Sequence, residues 1–252
     1  MKTIRQTAKK IPGLVKLKGS ITRLSSSPKP DNSPREAFAQ CGEDMIMDHV
    51  FNSLGIKQPS YIDVGAYSPF RFSNTAYFYK RGSQGINIEA NPDLYRHFPI
   101  SRPRDINLNI GIGPKAGKLD FYIVNPPTLS TFSKSEAKRY EKEGASIAQV
   151  VPVKVETFKT VLDKYAGGKM PDFLSIDAEG VDYDILTSID FAKSRPLIIC
   201  IETISYSRTG NGVKDTKLIN YLTTRGYLLY ADTNINSIFV DEKAWTSRAP
   251  SG

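Results

Sequence analysis

Five acids stand where apolar runs of this chain end: Asp63 in YIDVG, Glu89 in INIEANP, Asp177 and Glu179 in LSIDAEG, and Glu202 in LIICIE. An acid that closes a buried strand reaches the crevice outside the strand ends, where open α/β sheets hold their ligands. A carboxylate there can accept hydrogen bonds from ribose hydroxyls, offset a cationic ligand, or take a proton from a nucleophile. Five acids converging on one crevice would repel each other strongly unless something positive joined them.

The elements that must position these acids are best seen in Tyr61–Pro92. This stretch reads as a buried strand (Tyr61–Val64), a glycine turn (Gly65), a helix opened by Ser73 or Asn74, a second strand (Gly85–Ile88) and then Glu89. Such a unit holds a nucleoside: the glycine allows close approach of the backbone, and the acid binds the ribose. The pyrophosphate fingerprint G-x-G-x-x-G is missing, since Ala66, Tyr67, Ser68 and Pro69 follow Gly65. Asp63 within the turn would repel a diphosphate and suit the ammonium of a methionine-like group. That favours S-adenosylmethionine over NAD. An oxidoreductase using the same nucleoside site, and a non-catalytic adaptor that keeps the fold, are the competing readings.

Around this unit the chain alternates strands and helices. A helix is expected over 36–54, with Glu43 and Asp44 in its first turn and Gly55 at its end. Asp105–Gly113 reads as a third strand, joined by a hairpin turn around Gly117 to a strand at Leu119–Val124. A helix capped by Ser133 and Glu136 follows, and Ser130 and Thr131 before it either serve helix initiation, the favoured reading, or border a ligand. Then come a strand at 150–158, a short helix ended by Gly167-Gly168, the strand in PDFLSIDAEG, a helix, the strand PLIICIE, a further helix, and a final pair of strands. If the strand in PDFLSIDAEG persists, alternation points Asp177 and Glu179 to one side. This order implies a three-layer sandwich around a mostly parallel seven-stranded sheet with one antiparallel strand near the edge, the Rossmann-like layout of class I methyltransferases.

At 252 residues the chain suits one large domain with an appendage. Its formal charge of +8 comes from residues 1–30, which hold eight Lys or Arg and no acid; removing them leaves 26 charges of each sign. The division is therefore a basic, flexible arm at 1–34 and a single domain at 35–252. A balanced body argues against nucleic acid as a partner. The arm mixes apolar and basic residues, as does a peripheral membrane contact through 1–30 or a transit peptide. Cys41 and Cys200 form no disulfide framework, which fits a reducing, cytoplasmic setting. His49 and His97 lack metal-ligand spacing, and two carboxylates, Asp177 and Glu179, are weak grounds for a metal, so none is assigned.

The motifs QCGEDMI, YIDVGAYSP, FSNTAYFYKRG, INIEANP, LNIGIG, LSTFS, LSIDAEGVDYDIL and RPLIICIET, in this order over residues 40–203, resemble the FkbM family of S-adenosylmethionine-dependent methyltransferases. The resemblance implies transfer of a methyl group to a hydroxyl, on acceptors ranging from macrolides to glycans. On the matching motifs it implies cofactor contacts at Asp63, Gly65, Ala66, Asn74, Glu89, Ala90, Asn91 and Asn109. A hydroxyl needs a base, and Asp177 or Glu179 is expected in that role, with Glu202 in reserve. The expected acceptor is a sugar, glycan or glycolipid hydroxyl. Tyr67-Ser68 stand where many members carry a histidine before the proline, so no histidine base is carried over. Ser83 stands where a tryptophan often follows the glycine.

Overall fold

Strands buried on both faces need apolar residues at nearly every position, and three segments of this chain supply them. YIDV (β1, Tyr61–Val64), FLSI (β7, Phe173–Ile176) and IICIE (β8, Ile198–Glu202) run parallel in the centre of a seven-stranded sheet. β2 (Gly85–Ile88) and β3 (Ile106–Leu108) extend it on one side, both parallel. β10 (Asn236–Asp241) pairs antiparallel with β8, and β9 (Tyr227–Asp232) forms the far edge, giving the order β3-β2-β1-β7-β8-β10-β9. The expected layout is thus realised, with β10 as its antiparallel strand. The computed structural model describes residues 34–192, 195–207 and 211–248. The basic arm expected over 1–34 lies outside them except for Pro34. Among the described residues no helix is long and apolar enough to cross a membrane.

Alternation along the strands divides the core into two layers. Ile62, Val64, Ile86, Ile88, Leu174, Ile176, Ile199 and Ile201 face one cluster, which α6 (Phe158–Tyr165), α7 (Asp182–Thr187) and α8 (Thr216–Thr223) cover. Tyr61, Phe173, Ile198 and Cys200 face the other, covered by α1 (Glu43–Ser53) and α2 (Ala76–Lys80). The first helix is shorter than its periodicity suggested, because Gly42 in the left-handed region caps it and Glu43 and Asp44 fold back onto the N–H groups of residues 38, 39 and 41. α3 (Pro92–Tyr95) and α4 (Phe98–Ser101) link β2 to β3.

A second sheet corrects one expectation. β4 (Gly111–Ile112), β5 (Gly117–Asn125) and β6 (Ser146–Glu156) pair in the order β4-β6-β5, so no hairpin around Gly117 joins the third strand to the next. β4 is too short to hold a ladder with β5, whereas the eleven-residue β6 offers an edge to each. Between β5 and β6 lies α5 (Lys134–Lys142), begun by Ser133, whose side chain accepts from the Glu136 N–H as the capping pattern predicts.

A buried ion pair joins the strands near their starts. Arg102 is fully buried; its Nε donates to Asp105 at 2.8 Å, and its other nitrogens reach Tyr61 Oη and Thr75 Oγ1. Asp105 also accepts from the Gly85 N–H and Asn87 Nδ2, so one guanidinium organises β1, β2 and the approach to α2. Removing one partner of such a pair strands the other charge away from water. Arg102→Ala is therefore expected to lose about 3–5 kcal/mol of stability by urea unfolding; a loss below about 1 kcal/mol, typical of a surface pair, would refute this account.

Candidate functional site

The carboxyl ends of β1, β2, β7 and β8 open onto one cavity of about 460 Å³, of a size that holds a small ligand. Of the residues expected to bind cofactor, Gly65, Asn74, Glu89 and Ala90 line it; of those expected to be catalytic, Asp177, Glu179 and Glu202 all do.

Asp63, Ala66, Asn91 and Asn109 do not line it. Alternation sends Asp63 to the face of Tyr61, where its carboxylate accepts from Thr75 Oγ1 at 2.7 Å beside Ser175. The expected pairing of Asp63 with a ligand ammonium is not how the side chain is placed. Asn91 caps α3 by accepting from the Asp93 N–H, and Asn109 donates to the carbonyls of Glu89 and Ala90. Both hold the turn after β2 from behind.

Glu89 is buried, and each of its oxygens accepts one backbone hydrogen bond at 2.7 Å, from the N–H groups of Tyr67 and Asn91. Burial raises its pKa to about 7 against the pull of those two donors. The carboxylate is thereby fixed in orientation and keeps lone pairs for hydroxyls.

Gly65 has φ +78°, and a Cβ there would lie 1.7 Å from the Asp177 carbonyl oxygen. The glycine is required first by the neighbouring turn, not by a ligand. The Asp177 N–H in turn donates to the Val64 carbonyl at 2.9 Å, so the turns after β1 and β7 lock together.

β7 ends at Ile176, so alternation is not what brings Asp177 and Glu179 together. Glu179 instead takes a left-handed conformation, φ +49°, followed by Gly180 at +90°. Asp182 caps the turn by accepting from the N–H groups of Ala178 and Gly180. Thr131 Oγ1 donates to the Glu179 carbonyl at 2.6 Å, and Tyr140 Oη donates to Glu179 Oε2 at 2.8 Å. Thr131 therefore does more than start a helix. Tyr140 and Asp182 are the residues around the acids that sequence reasoning missed; Tyr140 lies 39 positions from its partner, and no local pattern joins the two.

Asp177, Glu179 and Glu202 each bring a carboxylate oxygen within 4.8 Å of the others. Burial, then repulsion from Asp182, Asp63 and Glu89, raises Asp177 to about 7. Burial, then Asp177, pushes Glu179 well above the carboxylate range, and the Tyr140 hydroxyl opposes that rise. Glu202 is raised to about 11, by burial and then by Asp177 and Glu179, with Lys214 pulling the other way. Such a trio can retain protons, share them with a nucleophile, or gather around a cation.

The same cavity is also lined by apolar side chains, Leu94, Ile110, Ile112, Phe121 and Phe132. At Gly111 a Cβ would strike the Phe132 ring at 2.3 Å, so strand and ring are pressed together. A cavity lined by apolar side chains, an anchored acid and three further acids suits a ligand that joins an apolar base, a ribose and a cationic end. No curated protein matches the chain. The model of the FkbM methyltransferase domain matches residues 63–229, from the middle of β1 into β9 and across every carboxylate just described. A match over that span of a 252-residue chain, on this sheet order, places the protein in the FkbM methyltransferase family.

Proposed function

We propose that this methyltransferase uses S-adenosylmethionine to methylate a hydroxyl of a sugar, glycan or glycolipid. The observation that carries the reading is the convergence of Asp177, Glu179 and Glu202 on the same cavity as the anchored Glu89. The bound cofactor supplies a methyl group on a cationic sulfur. Glu89, steadied by two N–H groups, accepts from the ribose hydroxyls, and Ile110 and Ile112 on the same cavity pack on the base. Asp177 takes the acceptor hydroxyl's proton onto a carboxylate oxygen. Glu202 keeps its proton at neutral pH and donates a hydrogen bond into the cavity. Glu179, on the same cavity, is held by the Tyr140 hydroxyl.

The cofactor is tested by thermal unfolding with S-adenosylhomocysteine against NAD. A rise in midpoint with the former alone is expected, and stabilisation by NAD alone would overturn the assignment in favour of an oxidoreductase.

Asp177→Asn should lower labelled-methyl transfer to a panel of glycosides by about 10²–10⁴-fold. S-adenosylhomocysteine binding by calorimetry should be retained; full turnover in this variant would remove Asp177 from the mechanism.

Because Asp177 is raised to about 7 and must be ionised to accept a proton, the rate should climb with pH through that value. The opposite linkage acts on stability. An acid raised in the folded state stabilises the fold below its unfolded pKa and loses that contribution as pH rises toward 7. Asp177→Asn should therefore unfold at a higher temperature than the unchanged protein at pH above 7, with the difference vanishing in acid.

A further inference from the structure

Four side chains, Thr75, Asp63, Ser175 and Asn74, lead from the buried Arg102 to the cavity, and each hydrogen bond on the way has a forced direction. A guanidinium only donates, and Arg102 Nη1 reaches Thr75 Oγ1 at 3.0 Å. Thr75 therefore receives at its oxygen and gives its one proton to the Asp63 carboxylate, at 2.7 Å. Asp63 stands opposite Ser175 in the β1–β7 register, and the Ser175 hydroxyl is hydrogen-bonded to the same carboxylate. A carboxylate only accepts, so the Ser175 proton is committed there. The Ser175 oxygen is left to accept, and it does so from Asn74 Nδ2 at 3.2 Å. Thr75, Asp63 and Ser175 are buried, whereas Asn74 is half-buried and lines the cavity. The relay thus holds the Asn74 amide with its nitrogen inward. Among the described residues no donor meets Asn74 Oδ1, and this oxygen is not sealed from solvent.

We infer that Asp63 and Ser175 are positioning residues that fix Asn74 with its carbonyl oxygen toward the cavity, where that oxygen accepts from the ammonium of the bound cofactor. This rests on the proposed S-adenosylmethionine reading. A hydroxyl both donates and accepts and so suits either end of an amide. An ammonium has three donors and no acceptor, so it is held only by the oxygen. Charge points the same way. Arg102 is already matched by Asp105 at 2.8 Å, which leaves the charge of Asp63 two hydrogen bonds behind the Asn74 amide. Asp63 would then act on the cationic end of the ligand without touching it, through a serine and an amide whose orientation it dictates.

The test is calorimetric binding, at pH 7 on the full chain, of S-adenosylhomocysteine and of its desamino analogue, in which hydrogen replaces the α-ammonium. The unchanged protein should prefer S-adenosylhomocysteine by tenfold or more, about the effect of one charge-assisted hydrogen bond. Asp63→Asn keeps the shape but adds a donor: the new amide nitrogen donates to Ser175, the Ser175 proton turns to Asn74 Oδ1, and the Asn74 amide rotates to present its nitrogen. The preference should fall by about tenfold in Asp63→Asn, with binding of the desamino analogue unchanged. Ser175→Ala, which breaks the relay without adding a donor, and Asn74→Ala, which removes the amide at the cavity wall, should reduce the same preference and keep the inference testable if Asp63→Asn does not fold. An undiminished preference in Ser175→Ala or Asn74→Ala, or equal weakening of both ligands in Asp63→Asn, would overturn the relay. Failure of the unchanged protein to bind S-adenosylhomocysteine at all would instead overturn the cofactor reading beneath it.

Discussion

Like charges forced together at the strand ends are the constraint around which this molecule is arranged. Two ionised carboxylates 4.8 Å apart or closer repel by roughly 3 kcal/mol or more at an effective dielectric of about 20. Three such groups, with Glu89 on the same cavity, could not ionise together in an empty site. Each therefore retains a proton longer than it would in water, and the directions of their pKa shifts agree on this point. A cationic ligand relieves the same repulsion. The cavity is electrostatically unsatisfied without one, and its local rigidity keeps the acids from moving apart. The contact between Gly65 and the Asp177 carbonyl, the Asp182 cap and the Thr131 and Tyr140 hydrogen bonds all serve that end.

The contrast with the opposite side of the sheet is instructive. Asp63 and Asp105 are as buried as any acid in the cavity, but both have partners. Asp105 faces Arg102, and Asp63 accepts from Thr75, which itself receives a hydrogen bond from Arg102. Acids behind β1, tied to Arg102 directly or through Thr75, hold the strands in register, while the acids in front of it accept from hydroxyl and backbone N–H groups, with Lys214 acting on Glu202.

That sorting explains what was legible from residue order. Tyr61–Val64 and Gly85–Ile88 were read with their boundaries because a doubly buried parallel strand is written as a continuous apolar run with glycine or an acid beside it. The acids Glu89, Asp177, Glu179 and Glu202 were legible for the same reason, as the residues that follow such runs. Asp63 was assigned to the ligand because it precedes a glycine turn, although its alternation with Ile62 already placed it on the other face. The β4-β6-β5 sheet was not legible: Gly117 looked like a turn, and only the distant β6 decides that β4 and β5 never pair. Tyr140, and the partner of Thr131, were hidden by the same non-locality, since Glu179 lies beyond β6 and α6.

The small sheet and its inserted helix then have a purpose that their own packing does not require. α5 carries Tyr140, which touches Glu179, and Arg139, which donates to the Tyr206 carbonyl in the segment after β8. Tyr140 also meets the Tyr206 ring edge-on at 5.4 Å. Phe121 from β5 and Phe132 before α5 complete the apolar wall. One helix thus grips the segments that follow β7 and β8. A Rossmann-like sheet alone leaves those loops free to drift under mutual repulsion. The insertion supplies the clamp, so the acids' positions depend as much on α5 as on the strands that bear them.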